Sequence, residues 1–235
     1  MGLHEQMTTL KTLHLMYMWQ TPVPWMHANI EEYREMNPGW EVHFWTELPA
    51  EFPAEGRAML DLAPTPRYRA DIVRYWVLWR YGGIYCDIDT RPINPLDNLT
   101  GRLFFCRYRN PKIPDNFFIG GPAGHEFWHD AFDVACHREL WRKRKVYFGA
   151  YNAYLRAERH PDAEWLPASA TREIQHPSEY AELFAEPRVP LAGTGPEYIK
   201  HYRVCGCQTA DRVPNGWQTP MSWEDADGMH SAQPA

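Results

Sequence analysis

The segment from residue 71 to residue 91 constrains the fold more than any other part of the chain. It reads as an amphipathic helix that ends at the pair Gly82-Gly83 and leads into a short strand finishing in Asp87-Ile88-Asp89. Alternate residues of a strand point to the same side, so the two carboxylates should lie roughly 6.5 Å apart, at about 3.3 Å rise per residue. Such a pair at a strand end suits a divalent metal and the phosphates it binds.

The residues before this segment predict an α/β fold. Residues 12–19 form an apolar run typical of a buried strand, and residues 40–46 alternate as a second strand. A helical stretch over 27–36 lies between them and stops at Asn37-Pro38-Gly39. Strand, helix and strand in this order imply a parallel βαβ unit.

The helix that precedes the two aspartates is predicted to begin at Pro66, with Thr65 as its N-cap, and to end at the glycine pair. Asp71 and Arg74 are spaced i, i+3, so the acid and the base share one helix face. The strand that follows then delivers both aspartates to the carboxyl edge of the sheet, where open α/β sheets bind ligands.

After the Asp-Ile-Asp motif the pattern predicts strands over 103–108 and 117–121 and a helix from about 125 to 143. The basic run 138–145 is interpreted as a solvated helix end, favoured by the helix dipole, with a basic acceptor site as the alternative.

The length of 235 residues fits one α/β domain. We expect a single domain over 1–225, with a donor-binding half over 12–97 and an acceptor-side half over 98–225. The small, polar residues 226–235 are predicted to be a flexible tail.

Composition bears on the partners of the protein and on its cellular location. The net charge of −6 gives no general attraction to nucleic acid. The five cysteines are odd in number and scattered, which favours a reduced protein. Residues 1–7 are polar, and no apolar run is long enough for a signal peptide or a membrane span. We therefore expect a cytoplasmic protein, in a bacterial or viral setting.

The helix–Gly-Gly–strand segment resembles a known family. Its Ala70-Asp71-Ile72-x-Arg74-Tyr75 start and its Asp-x-Asp end are similar to glycosyltransferases with a DXD sugar-binding region, in the family 32 group that includes initiating mannosyltransferases of the Golgi. The glucosyltransferase domains of large clostridial toxins are also similar. The resemblance spans roughly 12–200, with 66–97 the most specific part. It implies a GT-A-like, Rossmann-like domain with a mixed, mostly parallel central sheet flanked by helices.

The resemblance also implies roles for individual residues. Asp89 would hold the metal, and Asp87 would contact ribose and sugar and reach the metal through water. Asp71 and Arg74 match the positions that grip the hydroxyls of the donor sugar. Tyr85, between them and the aspartates, is counted among the residues that bind the nucleotide sugar.

Other ligands are expected from the two ends of the chain. Tyr17 stands where the family usually has a Trp that stacks on the nucleobase. Near the C-terminus, Ser222 is expected to complete the metal site and Trp223 to cover the diphosphate. His201 and His230 are the rival candidates for this last metal ligand.

These residues predict a glycosyltransferase that moves a hexose from a nucleoside diphosphate sugar, with a UDP-sugar as the expected donor, to an acceptor hydroxyl with retention. Mn²⁺ or Mg²⁺ would offset the charge on the leaving diphosphate. No covalent nucleophile can be named, so a front-face mechanism is the working hypothesis. The acceptor is left open between a glycan, a protein and a hydroxylated base of DNA, since aromatic and basic residues after residue 98 suit each of them.

One rival motif predicts a peptidase. His125, Glu126 and His129 satisfy His-Glu-x-x-His, in which two histidines one helical turn apart bind zinc and the glutamate acts as general base. No third ligand at a suitable spacing accompanies it.

Two further alternatives share the Asp-x-Asp motif. In a haloacid-dehalogenase-type phosphatase, Asp87 would be the nucleophile and Asp89, followed by Thr90, the acid or base. That strand normally opens its domain, whereas here a βαβ unit precedes it. A transferase fold that has lost turnover would leave a nucleotide-sugar-binding module.

Overall fold

The computed structural model describes residues 11–18, 21–63, 66–107, 114–136, 160–173, 182–183, 185, 188–191, 193 and 195–202. The helices among these residues are α1 (Pro24–Met36), α2 (Ala54–Leu62), α3 (Pro66–Tyr81) and α4 (Glu126–Ala135). The strands are β1 (Thr12–Met16), β2 (Glu41–Trp45), β3 (Gly83–Asp87), β4 (Thr90–Pro92), β5 (Phe104–Arg107), β6 (Pro114–Gly121), β7 (Glu164–Trp165), β8 (Thr171–Glu173) and β9 (Ile199–His201). Short 3₁₀ turns cover Asp97–Leu99 and Ala168–Ala170.

Within that part of the chain, six strands form the central sheet in the order β2-β1-β3-β6-β5-β7. Strand β1 is parallel to both β2 and β3, which confirms the predicted βαβ unit. Strand β6 runs antiparallel to β3 and β5, and β7 is parallel to β5. All of the strands except β6 therefore point the same way, as predicted for a mixed, mostly parallel sheet.

Helices cover both faces of this sheet. Since strand side chains alternate between faces, Leu13 and Leu15 of β1 pack with α1, whereas Met16 packs on the side of α2, α3 and α4. Strand β3 divides in the same way, with Ile84 and Cys86 on the first side and Tyr85 on the second. The site residues at the ends of these strands are therefore held in place by strands that are closely packed on both faces.

The turn between α3 and β3 requires glycine. Gly82 and Gly83 have φ values of 66° and 88°, and the Gly82 N–H closes the helix by donating to the Leu78 carbonyl at 2.9 Å. A Cβ on Gly83 would lie 2.4 Å from the carbonyl oxygen of Thr12. The predicted glycine cap is confirmed, and it lets β3 lie directly against β1.

A second sheet of three strands has the order β4-β9-β8 among the described residues. Strand β4 begins directly after the Asp-Ile-Asp motif and pairs antiparallel with β9, so that Thr90 lies opposite His201. This sheet was not predicted. It brings residues from near position 200 back to the motif.

Other elements differ from the expectations in detail. Helix α1 begins at Pro24 rather than at residue 27, and α2 was not predicted. Helix α4 is described only to Ala135, and the basic run 138–145 lies outside the described residues, as does the predicted tail. Nothing tests the division into two halves, which stays a prediction. Among the described residues, no helix combines the length and apolar character needed to cross a bilayer.

Candidate active site

The candidate site lies where β1 and β3 end. These parallel strands place Met16 opposite Asp87, so Tyr17 and Asp89 follow at the same edge of the sheet. Strand β6 runs the other way and therefore begins at this edge, where it contributes Asn116. Helix α3 adds Asp71 and Arg74 from one side, and β9 adds His201 from the other.

Arg74 joins the acidic groups of the helix and the strand. Its guanidinium nitrogens lie 3.2 Å from Asp71 Oδ1 and 3.4 Å from Asp87 Oδ1, so the predicted acid–base face is confirmed. The same group lies 4.5 Å from the centre of the Tyr85 ring. Burial acts to lower the pKa of Arg74, but the charges of its neighbours raise it overall. Arg74 is therefore a permanent cation that holds both carboxylates.

Asn116 is a member of this cluster that the sequence did not reveal. Its Nδ2 donates to Asp71 Oδ1 at 2.8 Å, and its backbone carbonyl accepts from Arg74 Nη1 at 2.6 Å. Tyr85 completes the set by donating its hydroxyl to Asp87 Oδ1 at 2.8 Å. Because burial raises the pKa of Tyr85 well above its usual value, this hydroxyl stays protonated and remains a donor.

Asp89 faces His201 on the other side of the strand end. Both residues are buried, and His201 Nε2 lies 3.5 Å from Asp89 Oδ1. The His201 ring stacks on Phe117, with the ring centres 4.1 Å apart. Burial acts to lower the pKa of His201, yet the negative charge of Asp89 outweighs it and the pKa is raised.

These residues form a set of potential metal ligands. One atom from each of Asp87, Asp89 and His201 can be chosen so that the three lie within 4.8 Å of one another. Carboxylate oxygens combined with an imidazole nitrogen suit a divalent cation such as Mn²⁺. Asp87 is the more accessible of the two acids, with 28% of its side chain exposed. It can therefore face a ligand that enters from solvent.

Of the remaining predicted ligands, only some lie among the residues that the structure describes. Tyr17 is half-buried at the same sheet edge and packs against the core beside α1, and its backbone N–H donates to the Trp45 carbonyl at 2.9 Å. Its stacking on a base stays a prediction. Ser222, Trp223 and His230 lie outside the described residues. Of the candidates for the last metal ligand, His201 is the one that the described structure brings to the aspartates.

The His-Glu-x-x-His motif does not form a zinc site. His125 is the N-cap of α4 with an extended backbone, and its side chain is used within the protein. Its Nδ1 accepts from the Phe127 N–H at 3.1 Å, and its Nε2 lies 2.9 Å from Asp162. The His129 side chain is 53% exposed and packs edge-on against Trp79. Among the described residues, the group that could hold a metal ion is Asp87, Asp89 and His201, so the structure does not support the peptidase alternative.

A known family matches the part of the chain that supplies most of these site residues. Residues 22–104 match the family described as "Glycosyltransferase sugar-binding region containing DXD motif". This range includes Asp71, Arg74, Asp87 and Asp89.

Similar proteins extend the comparison. Inositol phosphoceramide mannosyltransferase 3 of Schizosaccharomyces pombe is 33% identical over 117 residues, which cover 46% of this chain and 33% of that protein. The chain spans about a third of the length of the curated relatives it matches.

Solved structures show the fold. The PaToxG glycosyltransferase superposes with a TM-score of 0.54 at 14% identity, covering 65% of this chain and 70% of its own. An active-site mutant of LgtC gives 0.52 at 15% identity, covering 87% and 92%. These structures confirm the predicted GT-A-like fold, and the match over residues 22–104 supports the predicted family of glycosyltransferases with a DXD sugar-binding region.

Proposed function

We propose that this protein is a metal-dependent glycosyltransferase that moves a hexose from a nucleoside diphosphate sugar to an acceptor hydroxyl. The observation that supports this most is the meeting of two clusters at one sheet edge. Asp87, Asp89 and His201 come within 4.8 Å of one another, and Asp87 is joined through Arg74 to Asp71. A metal site beside a polar, hydrogen-bonded pocket is what breaking a sugar–diphosphate bond requires.

The metal ligands would act on the leaving group. A divalent cation, when bound, neutralises charge that develops on the diphosphate. Asp89 and His201 are buried and would hold it from the protein side, whereas the more exposed Asp87 can also contact the donor. Burial strengthens these electrostatic interactions because water screens them less.

The second cluster would position the sugar. Asp71 and Asn116 can accept from and donate to sugar hydroxyls, and Arg74 fixes both of them through its contacts with Asp71 and the Asn116 carbonyl. Fixed polar groups of this kind discriminate between epimers, because a wrongly placed hydroxyl leaves a buried partner unpaired. The retention of configuration and the front-face mechanism remain part of the proposal.

The donor and the acceptor define the substrate search. A UDP-hexose is the proposed donor. The Schizosaccharomyces pombe relative is named a mannosyltransferase, so a nucleoside diphosphate mannose is a second candidate donor. The same name adds an inositol-bearing lipid to the glycans, proteins and hydroxylated-base DNA proposed as acceptors. The cytoplasmic location stays a prediction.

The test is binding and hydrolysis of a panel of UDP-hexoses and GDP-mannose, with Mn²⁺ and with a chelator. Asp89→Asn should lower the metal-dependent rate more than about 10²-fold, as loss of other charge-stabilising groups does. Asp61→Asn changes an exposed acid of α2 and should leave the rate unchanged.

Two outcomes would contradict the proposal: no nucleotide sugar bound in either condition, or full activity in Asp89→Asn. Binding without any turnover, with every acceptor class, would instead indicate the nucleotide-sugar-binding module. The phosphatase alternative has less support, because its nucleophile Asp87 lies in the matched sugar-binding region and its Oδ1 is already held by Tyr85 and Arg74.

A further inference from the structure

The backbone around Asp89 is held by partners from three elements. The Asp87 carbonyl accepts from Thr90 Oγ1 at 2.7 Å, and the Asp89 carbonyl accepts from the Tyr202 N–H at 2.9 Å. The carbonyls on either side of Asp89, those of Ile88 and Thr90, both accept from one side chain.

That side chain is Asn29 of α1. Its Nδ2 donates to the Ile88 carbonyl at 2.8 Å and to the Thr90 carbonyl at 3.0 Å, and the residue is fully buried. A primary amide has two N–H donors, so both are directed at the carbonyls that flank Asp89. Asn29 therefore fixes the Ile88–Asp89 peptide and the Thr90–Arg91 peptide, and the Tyr202 N–H holds the Asp89–Thr90 peptide between them, so the direction of the Asp89 carboxylate is set.

The orientation of this amide is itself determined. Arg188 Nη1 donates to Asn29 Oδ1 at 2.6 Å and also lies 3.4 Å from Glu32 Oε2, one helical turn further along α1. A guanidinium has donors only, so the amide oxygen must face Arg188 and the NH₂ group must face the two carbonyls. Reversing the amide would place its oxygen against two carbonyl oxygens.

We propose that Asn29, oriented by Arg188, is the positioning residue for Asp89, an inference that rests on the proposed metal site. Asn29 does not reach the metal ligands through its side chain, but it sets the loop that presents one of them. Partners that orient a metal ligand typically change metal affinity 10- to 100-fold when they are removed. The effect of Asn29 should therefore appear in metal binding and not only in stability.

The chain offers a matched control at the C-cap of the same helix. Asn37 is also buried, and it also makes hydrogen bonds through both ends of its amide, donating to the Tyr33 carbonyl at 2.9 Å and accepting from the Leu96 N–H at 2.8 Å. None of these partners belongs to the Asp-Ile-Asp loop. Replacing Asn37 thus removes a comparable buried network without touching the backbone around Asp89.

The experiment is Mn²⁺ binding to the full-length protein, followed by electron paramagnetic resonance, alongside thermal unfolding without metal. Asn29→Ala should weaken Mn²⁺ binding about 10- to 100-fold. Asn37→Ala should lower the unfolding temperature to a similar extent and change the Mn²⁺ affinity less than about twofold. Asn29→Asp keeps the side-chain size and the contact with Arg188 but lacks the donors, so it tests the same point if Asn29→Ala fails to fold.

The possible results separate the two proposals. Mn²⁺ affinity within about twofold of wild type in a folded Asn29 variant, or equal weakening in Asn37→Ala, overturns the positioning role alone. Absence of Mn²⁺ binding by the wild-type protein, with UDP and with GDP present, overturns the metal site and the positioning role together.

Discussion

At the scale of single residues, the site has more carboxylates than permanent cations. The carboxylates of Asp71 and Asp87 share one permanent cation, Arg74, and a third carboxylate, that of Asp89, faces His201. Burial acts to lower the pKa of His201, but the nearby carboxylates, Asp89 above all, raise it, so this side of the site also favours positive charge. Burying carboxylates is costly unless they are paired, so the arrangement favours binding of a cation. A divalent ion beside Asp89 would restore neutrality and permit a diphosphate to approach.

Asn116 offers a test of the sugar-positioning cluster. Asn116→Ala removes the donor to Asp71, and we expect nucleotide-sugar affinity to fall about tenfold, the effect of losing roughly 1.4 kcal/mol. Affinity for the nucleoside diphosphate alone should not change, since Asp71 and Asn116 are assigned to the sugar. Calorimetric titration with both ligands separates the two effects.

The exposed Asn98 provides the control for that titration, because Asn98→Ala should alter neither affinity. An equal loss for the diphosphate and the nucleotide sugar would mean that Asn116 acts on the metal or the base instead.

The four predicted site residues that the structure brings to one sheet edge lie within a single helix, turn and strand segment. Asp71, Arg74, Asp87 and Asp89 could be related by local periodicity alone. Asn116 was missed because it meets Asp71 across 45 positions of sequence, through a register of β6 against β3 that no local pattern encodes. His201 was only one of several candidates because β9 is three residues long and shows no periodicity.

At the scale of elements, a buried histidine joins β1, β2 and the glycine turn. His14 Nε2 donates to the Gly82 carbonyl at 2.9 Å, and His14 Nδ1 accepts from Trp45 Nε1 at 3.1 Å. Both ring nitrogens are thus satisfied in the neutral form. Burial lowers the pKa of His14 to about 3, because it outweighs the opposing effect of the Gly82 hydrogen bond, and the neighbouring His43 adds a smaller lowering.

This pKa predicts how stability depends on pH. The folded value lies below the unfolded value of 6.5, so the unfolded state binds the extra proton as the pH falls. The contribution of His14 is complete above pH 6.5 and is lost below it at about 1.4 kcal/mol per pH unit. Urea unfolding from pH 7.5 to 5 should show this slope in wild type and a shallower one in His14→Gln.

His129→Gln, a change at an exposed ring, should retain the wild-type slope over the same range. The same slope in His14→Gln and wild type would show that other groups produce the acid sensitivity.

The elements themselves were predictable to different degrees. The strands of the βαβ unit and helix α3 follow from apolar runs, glycines and caps in the sequence. Helix α2 was missed, and so were β4, β8 and β9, each of three residues. Strands this short are fixed by their partners, since β9 forms only between β4 and β8.

At the scale of the whole molecule, the proposed metal site links distant parts of the chain. Asp87 ends strand β3 of the central sheet and Asp89 follows it, whereas His201 belongs to the second sheet. The same sheet is tied to α1, because Arg91 of β4 binds Glu32 through two nitrogens and also donates to the carbonyls of Glu182 and Val189. The ligands from the two sheets come together only in the folded state, so a cation that they bind would stabilise that state.

Metal binding should therefore raise the unfolding temperature. A ligand at 100 times its Kd stabilises the native state by about 2.7 kcal/mol, which corresponds to roughly 5 to 10 °C for a domain of this size. We expect wild type to show this rise with Mn²⁺ and to lose it on chelation. Asp89→Asn and His201→Ala should both abolish it, because each removes a ligand from one of the two sheets. Differential scanning calorimetry measures the shift directly.

His129→Ala, which changes an exposed histidine that is not among the potential ligands, should keep the full rise and so shows whether the loss is specific. A full rise in His201→Ala, together with its loss in Asp89→Asn, would mean that the second sheet supplies no ligand. The last ligand would then come from residues beyond 202, where Ser222 and His230 are the candidates. Repeating the scan with Ser222→Ala and His230→Ala would decide between them, since only loss of the true ligand removes the stabilisation that couples metal binding to folding.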